Sequence, residues 1–334
     1  MAFARICLSK EKTGSSGKKE PLAEGVQNGM KELREKLMNG TLEERIDSLT
    51  SLGRMKDSSA VNDLIKIASE EDEGIGQLAV MTLGEIGDKS AVPALLKIFS
   101  LGSRQIAKEA GVSLGKIGDA SALPTLIRAT DGSGRRFHSA IRSLGMIGDK
   151  SAVPALINAY GKDGMEWEVV NSLGKIGDAS AVPFLIAVLE NDRVSVSMQA
   201  AWALGEIGGS AAADALIQAL DEYRWDGSDD MEWMRIDAMM DALAKIGQYE
   251  DIVPRIYTAS AEPRGQFWNA IERMISRCES LDWIQEFLVK WDGLSMPGKD
   301  VKLCKGLKEG DLDYIRNEIF EKAVEKEKEL REKK

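Results

Sequence analysis

Few side chains in this sequence could carry chemistry, and their spacing narrows what that chemistry would be. The 334 residues include one histidine, His138, and three cysteines, Cys7, Cys278 and Cys304. Zinc and iron centres need several His, Cys or carboxylate ligands within one coordination sphere. One histidine and three scattered cysteines, with no CxxC spacing, supply no such set, so no metal is expected. His138 is followed by Ser139, and no nucleophile or orienting carboxylate is implied beside it, so a general base has nothing to act with. Five aspartates recur at even spacing: Asp57, Asp88, Asp119, Asp149 and Asp178. They would be either a row of acidic ligands or a row of helix caps. Carboxylates one per helix pair stand roughly 10 Å apart, too far to share an ion, so capping is the expectation. The acidic stretch DEYRWDGSDDMEW (221–233) lacks the alternation of a calcium loop. It reads as a long surface loop open to contact with a partner. No GxSxG, P-loop or GxGxxG stands in a strand–helix context. Catalytic and cofactor-binding residues are therefore expected to be none.

The elements that position these residues are repeated. The string LGKIGDASALP (114–124) returns as LGEIGDKSAVP (83–93), LGMIGDKSAVP (144–154) and LGKIGDASAVP (173–183). Its first glycine, or the residue in its place, falls at Gly53, Gly84, Gly115, Gly145, Gly174, Gly205 and Ala244, at intervals of 31, 31, 30, 29, 31 and 39 residues. A period near thirty means stacked supersecondary units. Within one unit Ile106, Ala110, Leu114 and Ile117 form a single helical stripe, and Ala91, Val92, Leu95, Leu96, Ile98 and Phe99 form another before it. Each unit is therefore helix, tight turn, helix. Gly118 suits a left-handed helix end. Asp119 and Ser121 are placed to accept from the next helix's first N–H groups. Pro124 sits in a first turn, where a missing N–H breaks nothing. The glycine inside LG lies mid-helix and costs about 1 kcal/mol against alanine. Its retention implies that two helices approach closely there.

Composition sets the outer limits. Net charge is −10 with a pI near 5.0, which excludes a general nucleic-acid binder, because phosphate neutralisation takes clustered Lys and Arg. The sparse cysteines read as free thiols of a reducing compartment. No apolar run reaches the length of about 20 residues that spans a bilayer. MAFARICLSKEK has only a short apolar patch, broken by Arg5, so a cytoplasmic location is expected. The expected division is a flexible basic arm (1–26), an N-terminal cap repeat (27–57), regular repeats (58–248), degenerate repeats (249–291), and a linker with a charged terminal helix (292–334).

These units resemble HEAT repeats of the short prokaryotic type known as PBS-lyase HEAT-like repeats. ALGEIGGSAAADALIQAL (203–220) and the four strings above carry the resemblance, which covers roughly residues 41–254. It implies an all-α fold, a right-handed α-solenoid of helical hairpins, with first helices outside and second helices lining the concave side. In one respect the chain departs from the pattern. The family's second helix carries an arginine eight residues before the glycine, paired with the corner aspartate. Here that column reads Arg45, Gly76, Ala107, Phe137, Glu166, Ser197 and Ile236. The resemblance also raises deoxyhypusine hydroxylase, whose two irons are held by His-Glu pairs. With one histidine that activity is not expected.

Function then falls to the positions that vary on the second helices: seven and three residues before the glycine and one after it. In the middle repeats these columns bring Trp167, Met198 and Trp202 beside Arg142, His138 and Met146, with Arg135 nearby. Trp, Met and Arg are the residue types enriched at protein interfaces. Trp202, among Ala200, Ala201 and Ala203, could be a surface residue or a groove-filling one. Trp167, between Glu166 and Glu168, reads as surface. The expected function is a non-catalytic protein-binding scaffold or assembly factor. The expected partner is an acidic, amphipathic helix or segment. The other reading kept open is an accessory subunit of a protein-modifying or cofactor-attaching enzyme, similar to a phycobilin lyase.

Overall fold

The structure, a computed structural model, describes residues 20–70, 73–190, 193–222, 232–246, 275 and 309–333. The described residues hold fifteen α-helices. α1 (Glu20–Asn39) and α2 (Leu42–Met55) form the first hairpin. The regular hairpins follow: α3 (Val61–Glu70) with α4 (Glu73–Ile86), α5 (Val92–Leu101) with α6 (Arg104–Ile117), α7 (Leu123–Ala129) with α8 (Gly134–Ile147), α9 (Val153–Ala159) with α10 (Glu166–Ile176), and α11 (Val182–Leu189) with α12 (Val194–Ile207). α13 (Ser210–Glu222) pairs with α14 (Glu232–Ile246), and α15 (Glu309–Glu332) is the last described helix. The expected degenerate repeats at 249–291, apart from residue 275, the 223–231 part of the acidic loop and the first 19 residues lie outside the described residues.

Each corner is built as its sequence requires, with one addition. Between Gly118 and Pro124 a single 3₁₀ turn, Ala120–Ala122, precedes the helix. The corner aspartate caps that turn rather than the α-helix itself. Its carboxylate accepts the backbone N–H two residues on, at 3.0 Å (Asp57–Ser59), 2.9 Å (Asp88–Ser90 and Asp119–Ser121), 2.8 Å (Asp149–Ser151) and 2.9 Å (Asp178–Ser180). Bonds from the serine hydroxyls, and then these backbone bonds, hold Asp88, Asp119, Asp149 and Asp178 below the usual carboxylate range. Gly118 has φ +70°, the left-handed end expected of it. Between corners, the Lys89 ammonium lies 3.3 Å from Asp119 of the next repeat. A lysine one residue after the preceding corner aspartate thus stands at the next corner.

The core runs through the middle of the stack. Leu83, Leu114, Leu144, Leu173 and Leu204, the leucines of each LG pair, are fully buried. The second helices α2, α4, α6, α8, α10, α12 and α14 pack on one another in unbroken sequence. Successive first helices touch far less. A stack drawn tighter on one side curves toward that side, so the second helices line the inner face of the solenoid.

The LG glycine sets that tightness. A Cβ on Gly84 would stand 2.8 Å from Cα of Ser113. On Gly115 it would stand 2.9 Å from Cα of Ser143, and on Gly145 2.8 Å from Cα of Ser172. Each glycine therefore receives the backbone of the next second helix at a small residue two positions before that helix's own glycine. At Gly174 and Gly205 the receiving residues are Ala203 and Ala242. The three serines add a bond across the seam. Ser113 Oγ donates to the Val80 carbonyl at 2.8 Å, Ser143 Oγ to Gly111 at 2.5 Å, and Ser172 Oγ to Ile141 at 3.1 Å.

Candidate functional site: the second-helix face

The three variable columns emerge on the inner face because they flank the buried stripe. None of their described members is buried. The position eight before the glycine behaves differently. Gly76, Ala107, Phe137, Ser197 and Ile236 are buried there, so that column has become core and holds no arginine ladder in those repeats.

The middle of the face is the candidate site. Trp167 and Met198 occupy the same register on the adjacent helices α10 and α12, and Trp202 lies one turn further along α12. Trp167 is 46% exposed. Trp202 is half-buried and packs against the core; its ring edge lies 2.8 Å from where a Cβ on Gly174 would stand. The indole therefore lies across the gap that Gly174 leaves. Trp202 is both groove filler and surface, whereas Trp167 is surface. Met198 is half-buried. Met146, 42% exposed, stands apart from these three: its Sδ is 3.2 Å from a Cβ built on Gly115, over the seam between α6 and α8.

Arg135, His138 and Arg142 come from one stripe of α8, and each is held by a neighbouring repeat. Arg135 donates to Gln105 on α6. Arg142 pairs with Glu168 on α10 at 3.3 Å, its own side chain 57% exposed. His138 Nε2 lies 2.8 Å from Asp163, in the loop between α9 and α10. That carboxylate was not visible in the local sequence around His138, and it corrects the expectation that none stands beside the ring. Asp163 also accepts the Gly134 N–H at 2.8 Å, so it caps α8 from the following repeat. It does so from φ +56°, a left-handed backbone that aspartate tolerates better than most residues. The Gly134 bond and His138 hold its carboxyl below the usual range. The signal for it was the glycine-flanked GKDG (161–164), a turn sequence twenty-five residues from His138. Arg136 points the other way. Its guanidinium donates to the carbonyls of Phe99 at 2.9 Å and Gly102 at 2.6 Å, closing the end of α5.

The arrangement is a half-apolar shelf of indoles and thioethers, edged by cations whose inner sides are already bonded. It offers contact area and outward-facing donors. His138 and Asp163 form a dyad, but no nucleophile is bonded to it among the described residues. Nor do the described residues contain a group of three metal-ligating side chains.

The model for HEAT repeats matches residues 31–112, 77–139, 138–193 and 165–227, more than half of the chain. The chain belongs to the HEAT-repeat family. Its helical solenoid of sequential hairpins is the fold that membership requires. Among curated proteins, none matches this HEAT-repeat chain in sequence. Solved structures are similar in fold. One is the complex of CpcE and CpcF of phycocyanin lyase from Nostoc sp. PCC7120, at 20% identity and TM-score 0.42, covering 75% of this chain and 98% of that one. Another is human deoxyhypusine hydroxylase in complex with glycerol, at 16% identity and TM-score 0.36, covering 77% of this chain and 98% of that one. Among the described residues no helix is long and apolar enough to cross a membrane.

Proposed function

We propose that this HEAT-repeat solenoid is a non-catalytic protein-binding scaffold that holds a segment of a partner against its second helices between α8 and α12. The observation that carries the reading is the exposure of Trp167 on that face, beside the partly open Met198 and Trp202. An indole left nearly half in water by a well-packed neighbour set is available area, and tryptophan is among the residue types enriched at binding hot spots. Arg135, His138 and Arg142 border this shelf, and Met146 extends it toward α6. An apolar anchor edged by the Arg135 and Arg142 cations favours an acidic, amphipathic helix laid along the groove.

The test compares the full chain with Trp167→Ala. Affinity capture from the native host identifies polypeptides held by the wild type, and binding of each is then measured with both proteins. Loss of about 2 kcal/mol or more of binding energy, with the urea midpoint nearly unchanged, supports the scaffold reading. Equal binding by both proteins, or a Trp167→Ala chain that unfolds markedly earlier, refutes it.

A further inference from the structure

The opposite end of the inner face poses a separate question. Met38, Leu42 and Ile46 are 37%, 63% and 38% exposed. They are three of the seven large apolar side chains exposed among the described residues, and they lie within nine positions. Terminal repeats of a solenoid need a polar outer face, because nothing stacks on them. In the first described hairpin that end face is polar, with Glu43 and Asp47 exposed, and Leu42 and Ile46 flank it toward the inner groove.

The repeat pattern explains what is missing. Ten and six residues before the LG glycine, side chains reach toward the preceding second helix. Arg135 bonds Gln105 from the first of these positions, and Glu168 pairs with Arg142 from the second. In α2 the same two positions are Glu43 and Asp47, both exposed, and among the described residues no second helix precedes them. Around them most basic groups are engaged elsewhere. Arg34 pairs with Asp63 at 2.7 Å, Lys36 with Glu32 at 2.6 Å, and Arg45 donates to the Leu37 carbonyl. Glu44 is held in the capping box with Thr41. The exposed charges next to Leu42 and Ile46 on α2 are Glu43 and Asp47. The patch is therefore apolar with an acidic edge.

We infer that this patch is the docking site for the chain's own N-terminal segment, residues 3–10. Phe3, Ile6 and Leu8 supply the apolar side chains, and Arg5 and Lys10 supply the opposite charge. The reach is sufficient. The patch lies at the far end of α1, about 30 Å from Glu20 for a helix of twenty residues. The twelve bonds from Leu8 to Glu20 span up to about 40 Å when extended. Docking lays the segment along the inner edge of the first described hairpin, over Leu42 and Ile46 and against Glu43 and Asp47. The proposal is independent of the scaffold reading, which concerns α8 to α12.

Cys7 lies within the docking segment and makes the test direct. In the full chain with Cys278→Ser and Cys304→Ser, a second cysteine is placed either at the patch (Asn39→Cys) or nearer the root of the arm on α1 (Lys31→Cys). Both positions are exposed. Disulfide formation is followed on non-reducing gels and assigned by peptide mass, over a range of protein concentrations. A tether with no preferred site closes on the nearer cysteine at least as fast. Docking reverses that order: Cys7 is expected to pair with residue 39 about tenfold faster than with residue 31, at a rate independent of concentration. Either Glu43→Lys with Asp47→Lys, or Leu42→Ser with Ile46→Ser, should lower the faster rate about tenfold. Pairing with residue 31 as fast as with residue 39 overturns the inference. So does a concentration-dependent intermolecular disulfide, which would mean that a second copy covers the patch, and so does a rate unmoved by both double substitutions.

Discussion

Gly115→Ala sets two physical effects of opposite sign against each other. Gly115 lies inside α6, where alanine is favoured over glycine by about 1 kcal/mol. On propensity alone the substitution stabilises. The seam predicts the reverse. The new Cβ would stand 2.9 Å from Cα and 3.1 Å from Cβ of Ser143, and 3.2 Å from Sδ of Met146. Carbon atoms pack at about 3.5–4.0 Å, so α6 and α8 must separate by more than half an ångström at their tightest point. The methionine can swing aside, but the serine Cα is backbone and cannot. Overpacking of this kind costs about 1–3 kcal/mol. Separation lengthens the bond from Ser143 Oγ to the Gly111 carbonyl, at 2.5 Å, without orphaning the hydroxyl, which also reaches the Ser139 carbonyl at 2.7 Å. The net expectation is a loss of up to about 2 kcal/mol, with Gly115→Val losing more. Because repeats contact only their neighbours, the effect should be local. Hydrogen exchange should quicken in α6 and α8 first, and the urea midpoint should fall. A variant stabilised by about 1 kcal/mol, with unchanged exchange in α8, would refute the close-approach account of the motif. Lys116→Ala, exposed on the next residue, is the control and should move stability by less than about 0.5 kcal/mol.

Other outcomes follow from the same geometry. A Cβ on Gly118, three residues on, would meet nothing within 4 Å, but the backbone there has φ +70°, so Gly118→Ala should cost about 1 kcal/mol through backbone strain alone. Gly118→Asn, which tolerates that conformation, should recover part of the loss in urea unfolding. Trp202→Ala should lower the urea midpoint more than Trp167→Ala, because only Trp202 fills the gap over Gly174; equal midpoints would show that the indole does not support the seam. Asp88, Asp119, Asp149, Asp163 and Asp178 have depressed folded-state pKa values. Their contribution to stability is present above the unfolded aspartate value of about 3.9 and is lost as pH falls through the lower folded values. The urea midpoint should therefore hold from pH 7 to about 5 and drop steeply below about 4. A midpoint insensitive to acid would show that these caps contribute little.

The repeat period, the helix–turn–helix grammar and the corner chemistry were legible in the sequence because they are local. Gly118, Asp119 and Pro124 act on backbone within a few residues of themselves, so their spacing alone dictates a helix end, a cap and a helix start. The buried stripe and the exposed columns were legible for a related reason: helical periodicity fixes which side chains share a face. The mid-helix glycine pointed to a close approach, but the identity of the approaching residues did not follow from it. That Gly115 receives Ser143, and that a serine hydroxyl bonds across the seam, depends on how two helices about thirty residues apart are set against each other. The site divides in the same way. Trp167 read as surface from its acidic neighbours, and it is. Trp202 was ambiguous because its exposure depends on the width of a groove between repeats. Asp163 stood twenty-five residues from His138, in a loop whose sequence said only that it turned. Stacking one repeat on the next brought that carboxylate to the histidine, because long-range contacts in a solenoid come from the packing of repeats and are not written in any single one.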